Sequence, residues 1–458
     1  MFSIAMEKEL MSNLYHKEIY DFNNPVKSYW EANTNTDLKL EKLITDTKSE
    51  IVVIGGGYTG LLCAINLIER YNLDVILVEA GKIGWGASSR NAGFCCLPPS
   101  KMPYKKMHEI YGKEETKRFY QNSVEGVYYT KDIIKEFNIE CDATGENNFV
   151  VPHHPNKFNQ IKEQAEVYNK EFGIETEIYS KDEFQSIGHG GTEQFGAFSY
   201  KPGFAINPLK FVNGIAEYAI SKKLKIYQNT LITKVEKNSG EYLLHSKEGN
   251  IRTKKIVVAT NGFYQEGLIP EMNGKILPVI SNIIVTRKLS DDELNLHNFK
   301  TYAPLANSKN LLYYYRKLPD NRILFGTRGD LEGSNQSNEM MAKKMEIFLK
   351  RIFPKWENVS IEYNWRGLIA LSQKLTPSVG KIEDEEIYYG FGYSGVGVSS
   401  APWTGKQLSK LVFSSNSKDL EISKVYKGLP KKFLFPKLRL LYFRFAVWIY
   451  AFKDKFNL

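Results

Sequence analysis

Ile51-Val-Val-Ile-Gly-Gly-Gly-Tyr-Thr-Gly60 is the stretch whose reading decides the fold. Four apolar, mostly β-branched residues in a row read as a strand buried on both faces, as in parallel sheets. Glycines follow at Gly55, Gly57 and Gly60, the G-x-G-x-x-G spacing of a turn that receives a dinucleotide. Gly55 permits the tight exit from the strand. Gly57 lets backbone amides approach a pyrophosphate, and Gly60 lets the next helix pack close to the strand. That helix, over residues 59–71, aims its positive N-terminal end at the phosphates. A second apolar run, Asp74-Val-Ile-Leu-Val78, ends at Glu79, about 20 residues past the turn, where a carboxylate accepts ribose hydroxyls.

Outward from this unit, 458 residues exceed one ordinary core, so two domains are expected. The hydrophobic share of 42% and charged share of 25% are those of a globular chain. The net charge of +9 is unevenly placed: beyond residue 423 there are nine Lys or Arg against one acid, Asp454, so the rest carries about +1. A near-neutral body with a basic tail excludes a general nucleic-acid-binding surface. The four cysteines, Cys63, Cys95, Cys96 and Cys141, show no CxxC spacing. That predicts neither a disulfide framework nor a metal site, and it fits a reducing, cytoplasmic setting. Glu7 and Glu9 interrupt the N-terminus, which does not read as a signal peptide, and no apolar run is long enough for a spanning helix.

Residues 1–49 read as an irregular lead-in, with turns at Asn23-Asn-Pro25 and Asn33-Thr-Asn-Thr36. Residues 81–94, rich in Gly and small polar side chains, read as a loop that approaches a flat ligand. Apolar spacing predicts helices over 113–137, 156–172, 207–222, 339–353 and 397–413. Strands are expected at 148–151, 224–227, 231–235, 242–245, 256–259, 279–286, 311–316, 322–326, 361–371 and 386–389. The expected class is α/β: a Rossmann-like nucleotide domain interleaved with a second, α+β substrate domain on a mostly antiparallel sheet. The first takes residues 50–139, 204–275 and 371–430, the second 140–203 and 276–370, and residues 431–458 form a basic aromatic C-terminal helix.

Four motifs in this order, the glycine turn, Gly86-Ala-Ser-Ser-Arg-Asn-Ala-Gly93, Ala259-Thr-Asn261 and Gly392-Tyr-Ser-Gly-Val-Gly397, resemble the FAD-dependent D-amino-acid-oxidase-like superfamily. Within it the chain is similar to gamma-glutamylputrescine oxidase and related flavin amine oxidases. Asn24-Pro-Val-Lys-Ser-Tyr-Trp30, residues 313–326, Trp365-Arg-Gly367 and Phe435-Pro-Lys-Leu-Arg439 extend the likeness. The resemblance implies FAD, with Gly55, Gly57, Tyr58, Thr59, Gly60, Glu79 and Ala80 around the dinucleotide. Ser88, Ser89, Arg90, Asn91, Ala92 and Gly93 would line the pyrophosphate and the flavin edge. Val235 would contact the adenine side, and Ala259, Thr260 and Asn261 would close over the first turn. Gly395, Val396, Gly397 and Val398 would start a helix aimed at the pyrimidine side of the ring, where a helix N-terminus stabilises negative charge. Relatives with a covalent flavin use a His in the loop that here carries Arg90, or a Cys within a span that here has none. Attachment is therefore expected to be non-covalent, although Cys95 and Cys96 adjoin the loop.

The implied reaction is oxidation of a C–H next to a primary or secondary amine, giving an imine that hydrolyses to aldehyde and amine, with oxygen reduced to hydrogen peroxide. No metal enters it. Amino-acid oxidases of this superfamily place an Arg just after the Trp-x-Gly-Leu segment to clamp a carboxylate; here Ile369 stands there, which favours an amine or a more remote acid. Phe94, Tyr315, Arg316 and Trp365 are the expected substrate residues, with Arg316 as the anion clamp and Arg328 and Arg366 as further candidates. A membrane-associated amine dehydrogenase delivering electrons to a quinone, or a sarcosine-type N-methyl amino-acid oxidase, is the alternative. The tail around 443–452 reads either as a closing helix packed on the body or as a peripheral contact with the inner face of a membrane.

Overall fold

Strand Ile51–Ile54 lies inside a six-stranded sheet, between Lys255–Val258 on one side and Val75–Val78 on the other. The computed structural model describes residues 14–35 and 37–456; the first part of the expected lead-in and Thr36 of its second turn lie outside the described residues. Across this sheet the order runs Ser378–Lys381, Ile387–Phe391, Lys255–Val258, Ile51–Ile54, Val75–Val78, Lys225–Tyr227, parallel except for the first pair. The reason for the uninterrupted apolar run is visible in its two faces. Ile51 and Val53 join one core cluster with helix Tyr58–Tyr71, while Val52 and Ile54 join another under a small four-stranded sheet. Neighbouring strands leave to opposite sides of Ile51–Ile54, and ligands bind at the carboxyl ends of such strands.

Two glycines make the approach of helix and strand possible. Gly55 sits at φ +116°, where a Cβ would come within 2.8 Å of the Ala259 carbonyl oxygen. A Cβ on Gly60 would run into the carbonyl oxygen of Gly55, so only hydrogen fits there.

The second sheet has eight strands, in the order Ile361–Leu371, Leu277–Thr286, Ile323–Arg328, Tyr314–Lys317, Leu305–Asn307, Asn148–Val151, Ala197–Lys201, Glu175–Tyr179. Only the pair Leu305–Asn307 with Asn148–Val151 is parallel. Side-chain alternation splits it: Tyr315, Phe325 and Ile284 pack with helix Asn335–Ile352, while Tyr314, Leu324 and Ile283 face the nucleotide domain. The chain is thus α/β, a Rossmann-like nucleotide half interleaved with an α+β half on a mostly antiparallel sheet. The helix after the return crossover, Pro208–Ser221, is started by Asn207, whose side chain accepts from Leu209 N–H at 3.1 Å and Lys210 N–H at 3.2 Å, with Pro208 in its first turn.

Several local expectations change; the strand expected at 311–316 is Tyr314–Lys317, and the C-terminal helix expected over 431–458 spans Arg439–Phe456. The strand expected at 231–235 begins only at Lys234 and pairs within the four-stranded sheet, because the preceding residues turn toward a cavity. The lead-in is partly core: Trp30 is buried against Trp365 and donates its indole N–H to the Asn91 carbonyl at 3.0 Å.

Candidate active site

A single continuous cavity of about 820 Å³ runs from the glycine turn to the inner face of the second sheet. At its nucleotide end Glu79 is held by two backbone amides, Gly56 N–H at 2.6 Å and Gly81 N–H at 2.9 Å, each taking one carboxylate oxygen. Burial pushes the Glu79 carboxyl up from its ordinary range while these amides pull it down, and each oxygen keeps a lone pair for a ribose hydroxyl. Ser88 lies across the helix start: its hydroxyl accepts from Tyr58 N–H at 3.2 Å, and the Tyr58 hydroxyl donates back to the Ser88 carbonyl at 2.7 Å. A Cβ on Gly57 would come within 2.7 Å of that Ser88 hydroxyl, so glycine keeps the phosphate approach open.

Residues 81–94, whose composition predicts a loop, contain a short helix, Ala87–Arg90. Asn91 ends it, donating to the Ala87 and Ser88 carbonyls at 3.0 and 3.1 Å and accepting from Gly93 N–H at 2.7 Å. Arg90 is buried, with Nε on the Trp85 carbonyl at 2.7 Å and its guanidinium 3.9 Å from the Trp85 ring centre; burial lowers it to about 9. Asn261 accepts from Gly392 N–H at 3.0 Å, tying the two late motifs together. Gly395 at φ +93° then turns the chain into helix Gly397–Ser414, which points its N-terminus at the cavity.

These residues fit FAD. The buried hydroxyl of Thr260 and the side-chain oxygen of Gln265, both lining the cavity, have no partner among the described residues. Glycines that a Cβ would fill, a ribose acceptor in Glu79 and two helix N-termini complete a dinucleotide cradle.

Of the sequence-derived cofactor residues, the turn residues Gly55, Gly57, Tyr58 and Thr59 line the cavity with Glu79 and Ala80. So do Ser88, Arg90, Asn91 and Ala92, the segment Ala259, Thr260, Asn261, and Gly395 to Val398. Gly60, Ser89 and Gly93 do not; they hold the backbone beneath it, Gly93 pressed against the Ile206 carbonyl. Val235 also stands outside, paired with Leu244, and Thr230, Leu231 and Ile232 take the place expected of it.

The substrate residues need more correction. Phe94 lines the cavity, but Tyr315, Arg316 and Trp365 do not. Tyr315 is on the far side of its strand, its hydroxyl 2.9 Å from His189 Nε2. Arg316 faces the right way but is fully buried under the flavin loop, donating Nη2 to the Ile206 carbonyl at 2.6 Å. Trp365 donates to the Arg90 carbonyl at 2.8 Å and supports the loop from below. Arg366 is likewise structural, bonded to the Ser334 carbonyl and the Asn335 side chain.

The side chains that do face the substrate end include Tyr314, Ser281, Arg328, Lys101 and Ile369. The Tyr314 ring meets Phe94 edge-on at 5.9 Å, and its hydroxyl is 2.7 Å from Ser281 Oγ. Burial pushes that phenol up to about 12, so it is a neutral wall. The Arg328 guanidinium lies beside Gly395 and makes no hydrogen bond or ion pair with any described residue. Burial lowers its pKa, opposed by Tyr314. The exposed side chain of Lys101 lines the cavity rim and has no partner among the described residues. Burial first, then Arg328, lowers its ammonium to about 7. Cys96 reaches the cavity and Cys95 does not; burial pushes the Cys96 thiol up to about 12, which keeps it protonated and a poor nucleophile.

The family described as DAO, FAD dependent oxidoreductase, matches residues 50–411. The chain is 27% identical to gamma-glutamylputrescine oxidoreductase of Escherichia coli (strain K12) over 386 residues, 84% of this chain and 88% of that one. Its fold is similar to L-proline dehydrogenase from P. horikoshii, with a TM-score of 0.67 and 20% identity over 83% of this chain and 97% of the other. Glycine oxidase from Geobacillus kaustophilus superposes with a TM-score of 0.68 and 14% identity, covering 84% and 99%.

Proposed function

Because the chain belongs to the DAO family of FAD-dependent oxidoreductases and is similar to relatives that act on amines and amino acids, we propose that it oxidises an amine bearing a remote acidic group. The observation that carries this reading is Arg328: a half-buried cation lining the cavity, its side chain unpaired within the described residues, beside Gly395, with Lys101 as a second cation nearby. A partly desolvated charge without a counter-ion is costly, and a carboxylate brought in by the substrate relieves that cost. Ile369 occupies the place of the clamp used for α-carboxylates, so the acid group lies away from the reacting carbon. A γ-glutamylated diamine has that shape.

Bound FAD supplies the acceptor for the two electrons and the hydrogen that leave the substrate carbon. The chain's own contribution is placement and electrostatics. Phe94 and Tyr314 form an edge-to-face wall that confines the carbon chain, with Ser281 fixing the Tyr314 hydroxyl. The positive field of Arg328 and Lys101 in a poorly solvated cavity disfavours an ammonium, so the reacting nitrogen is held neutral with its lone pair available. The amine nitrogen loses its proton to water as the C=N bond forms, and water then releases aldehyde and amine. FAD is held without a covalent bond, consistent with the protonated state of Cys96. Oxygen is the acceptor in this reading, leaving as hydrogen peroxide; the bare C-terminal helix described below favours a membrane quinone as the second reading.

Anaerobic mixing with polyamines, γ-glutamylated amines and N-methyl amino acids, following flavin bleaching, tests the proposal. Fast bleaching by the glutamylated amines supports it. Bleaching only by N-methyl or α-amino acids overturns it.

A further inference from the structure

The C-terminal helix Arg439–Phe456 is docked by one side and bare on the other. On the inner side Arg439 is buried and pairs with Glu266, and Leu440 packs on the cluster that contains Tyr15 and Ile280. Arg444 donates to the Leu331 carbonyl at 3.3 Å. Asp454 accepts from the backbone N–H groups of Asn310 and Leu311 at 2.8 and 2.9 Å.

On the outer side Leu441, Phe445, Trp448, Phe452 and Phe456 fall within an arc of roughly 80° at 3.6 residues per turn, opposite the docked face. Each is between 50% and 66% exposed. Neighbouring rings on this stripe lie 6.1, 6.4 and 4.7 Å apart, so the surface is continuous. Of the 21 large apolar side chains exposed among the described residues, ten lie between 434 and 456, where a monomer ordinarily scatters them.

Charge identifies the occupant. The one acid of the segment, Asp454, is turned inward and bonded, whereas Lys431, Lys432, Lys437, Lys453 and Lys455 are exposed at the two ends of the stripe. A second copy of this face would set those lysines against one another. No helix among the described residues is long and apolar enough to cross a membrane. An aromatic stripe flanked by lysines suits a helix lying in the headgroup layer of an anionic bilayer. We infer that this face docks on the surface of an anionic lipid bilayer, with the helix in the plane of the interface. The loop that grips Asp454 also supplies Ser308, Lys309 and Leu312 to the cavity wall, so docking sets the active site beside the lipid.

The test is flotation of the full-chain holoenzyme with phosphatidylcholine vesicles, with and without phosphatidylglycerol. The wild type floats with the anionic vesicles, and raising the salt weakens binding about tenfold or more. The variant Phe445→Ser/Trp448→Ser/Phe452→Ser stays in solution with unchanged melting and flavin absorption. Replacing Lys431, Lys432, Lys437, Lys453 and Lys455 by Gln removes the preference for anionic vesicles while leaving the stripe intact, so a fold defect in the first variant does not decide the matter. No flotation of the wild type, equal flotation of the serine variant, or a wild-type dimer that the serine variant dissolves would each overturn the inference.

Discussion

Replacing Arg328 by Gln tests the electrostatic core of the functional reading. Glutamine keeps much of the length and a hydrogen-bond donor but removes the charge. The Arg328 side chain has no partner to lose among the described residues, so the fold carries little of the effect. Burial holds its guanidinium below the usual range, and an arriving carboxylate reverses that penalty. Charge-assisted hydrogen bonds contribute about 1.5–3 kcal/mol each. A forked pair is therefore worth about 3–5 kcal/mol, roughly 10²- to 10⁴-fold in affinity for an acidic amine at 1.36 kcal/mol per decade. Anaerobic stopped-flow separates this from chemistry, because the dependence of the bleaching rate on substrate concentration yields Kd and the limiting rate independently. The loss should appear in Kd for the carboxylate substrate and be small for its carboxamide, with the limiting rate and flavin spectrum little changed. Equal losses for acid and amide would place Arg328 against the flavin instead, and the reasoning would fail.

Gly60→Ala presses a methyl group into the Gly55 carbonyl, a backbone atom that cannot rotate away. Its cost is about 3 kcal/mol, seen as a lower melting temperature and less bound flavin. Gly57→Ala meets only the rotatable Ser88 hydroxyl, so calorimetry should show near-normal stability of the apoprotein while flavin content collapses. For pH, Lys101 titrates at about 7 in the free enzyme and is raised by a bound anion, so affinity for an acidic substrate is full below that value and declines above it. The substrate amine gains reactivity with pH up to about 10. The two trends cancel, and kcat/KM should level off above about 7 in the wild type but keep climbing in Lys101→Gln; identical profiles would remove Lys101 from the site. Precipitation with acid should leave the flavin in the supernatant for both the wild type and Cys96→Ser.

The nucleotide half was legible because its residues are set by backbone contact. Gly55 and Gly60 stand where no Cβ fits, and steric demands of that kind leave a fixed spacing in the sequence. The substrate end was not, and strand phase is the main reason. Tyr313, Tyr314 and Tyr315 are consecutive in a sheet buried on both faces, so neither choice of phase violates the hydrophobic pattern, yet only Tyr314 faces the cavity. Arg316 was placed on the correct side but lies beneath the flavin loop rather than beside it, a matter of depth that alternation does not encode. Lys101 sits in Pro98-Pro-Ser-Lys-Met-Pro103, which has no periodicity to read. Val235 was displaced by Thr230–Ile232 because the strand starts three residues later than its apolar pattern indicated.

The strap formed by the first described residues has a kinetic meaning. Tyr15 donates to the Pro278 carbonyl at 2.9 Å, Glu18 accepts from Asn335 N–H at 2.6 Å, and Trp30 abuts Trp365. These partners leave the ribosome some 260 to 340 residues after the strap itself, so a stretch made well before them is among the last to settle. Trp30 meanwhile holds the Asn91 carbonyl of the flavin loop, which couples arrival of the strand carrying Trp365 to maturation of the cofactor pocket.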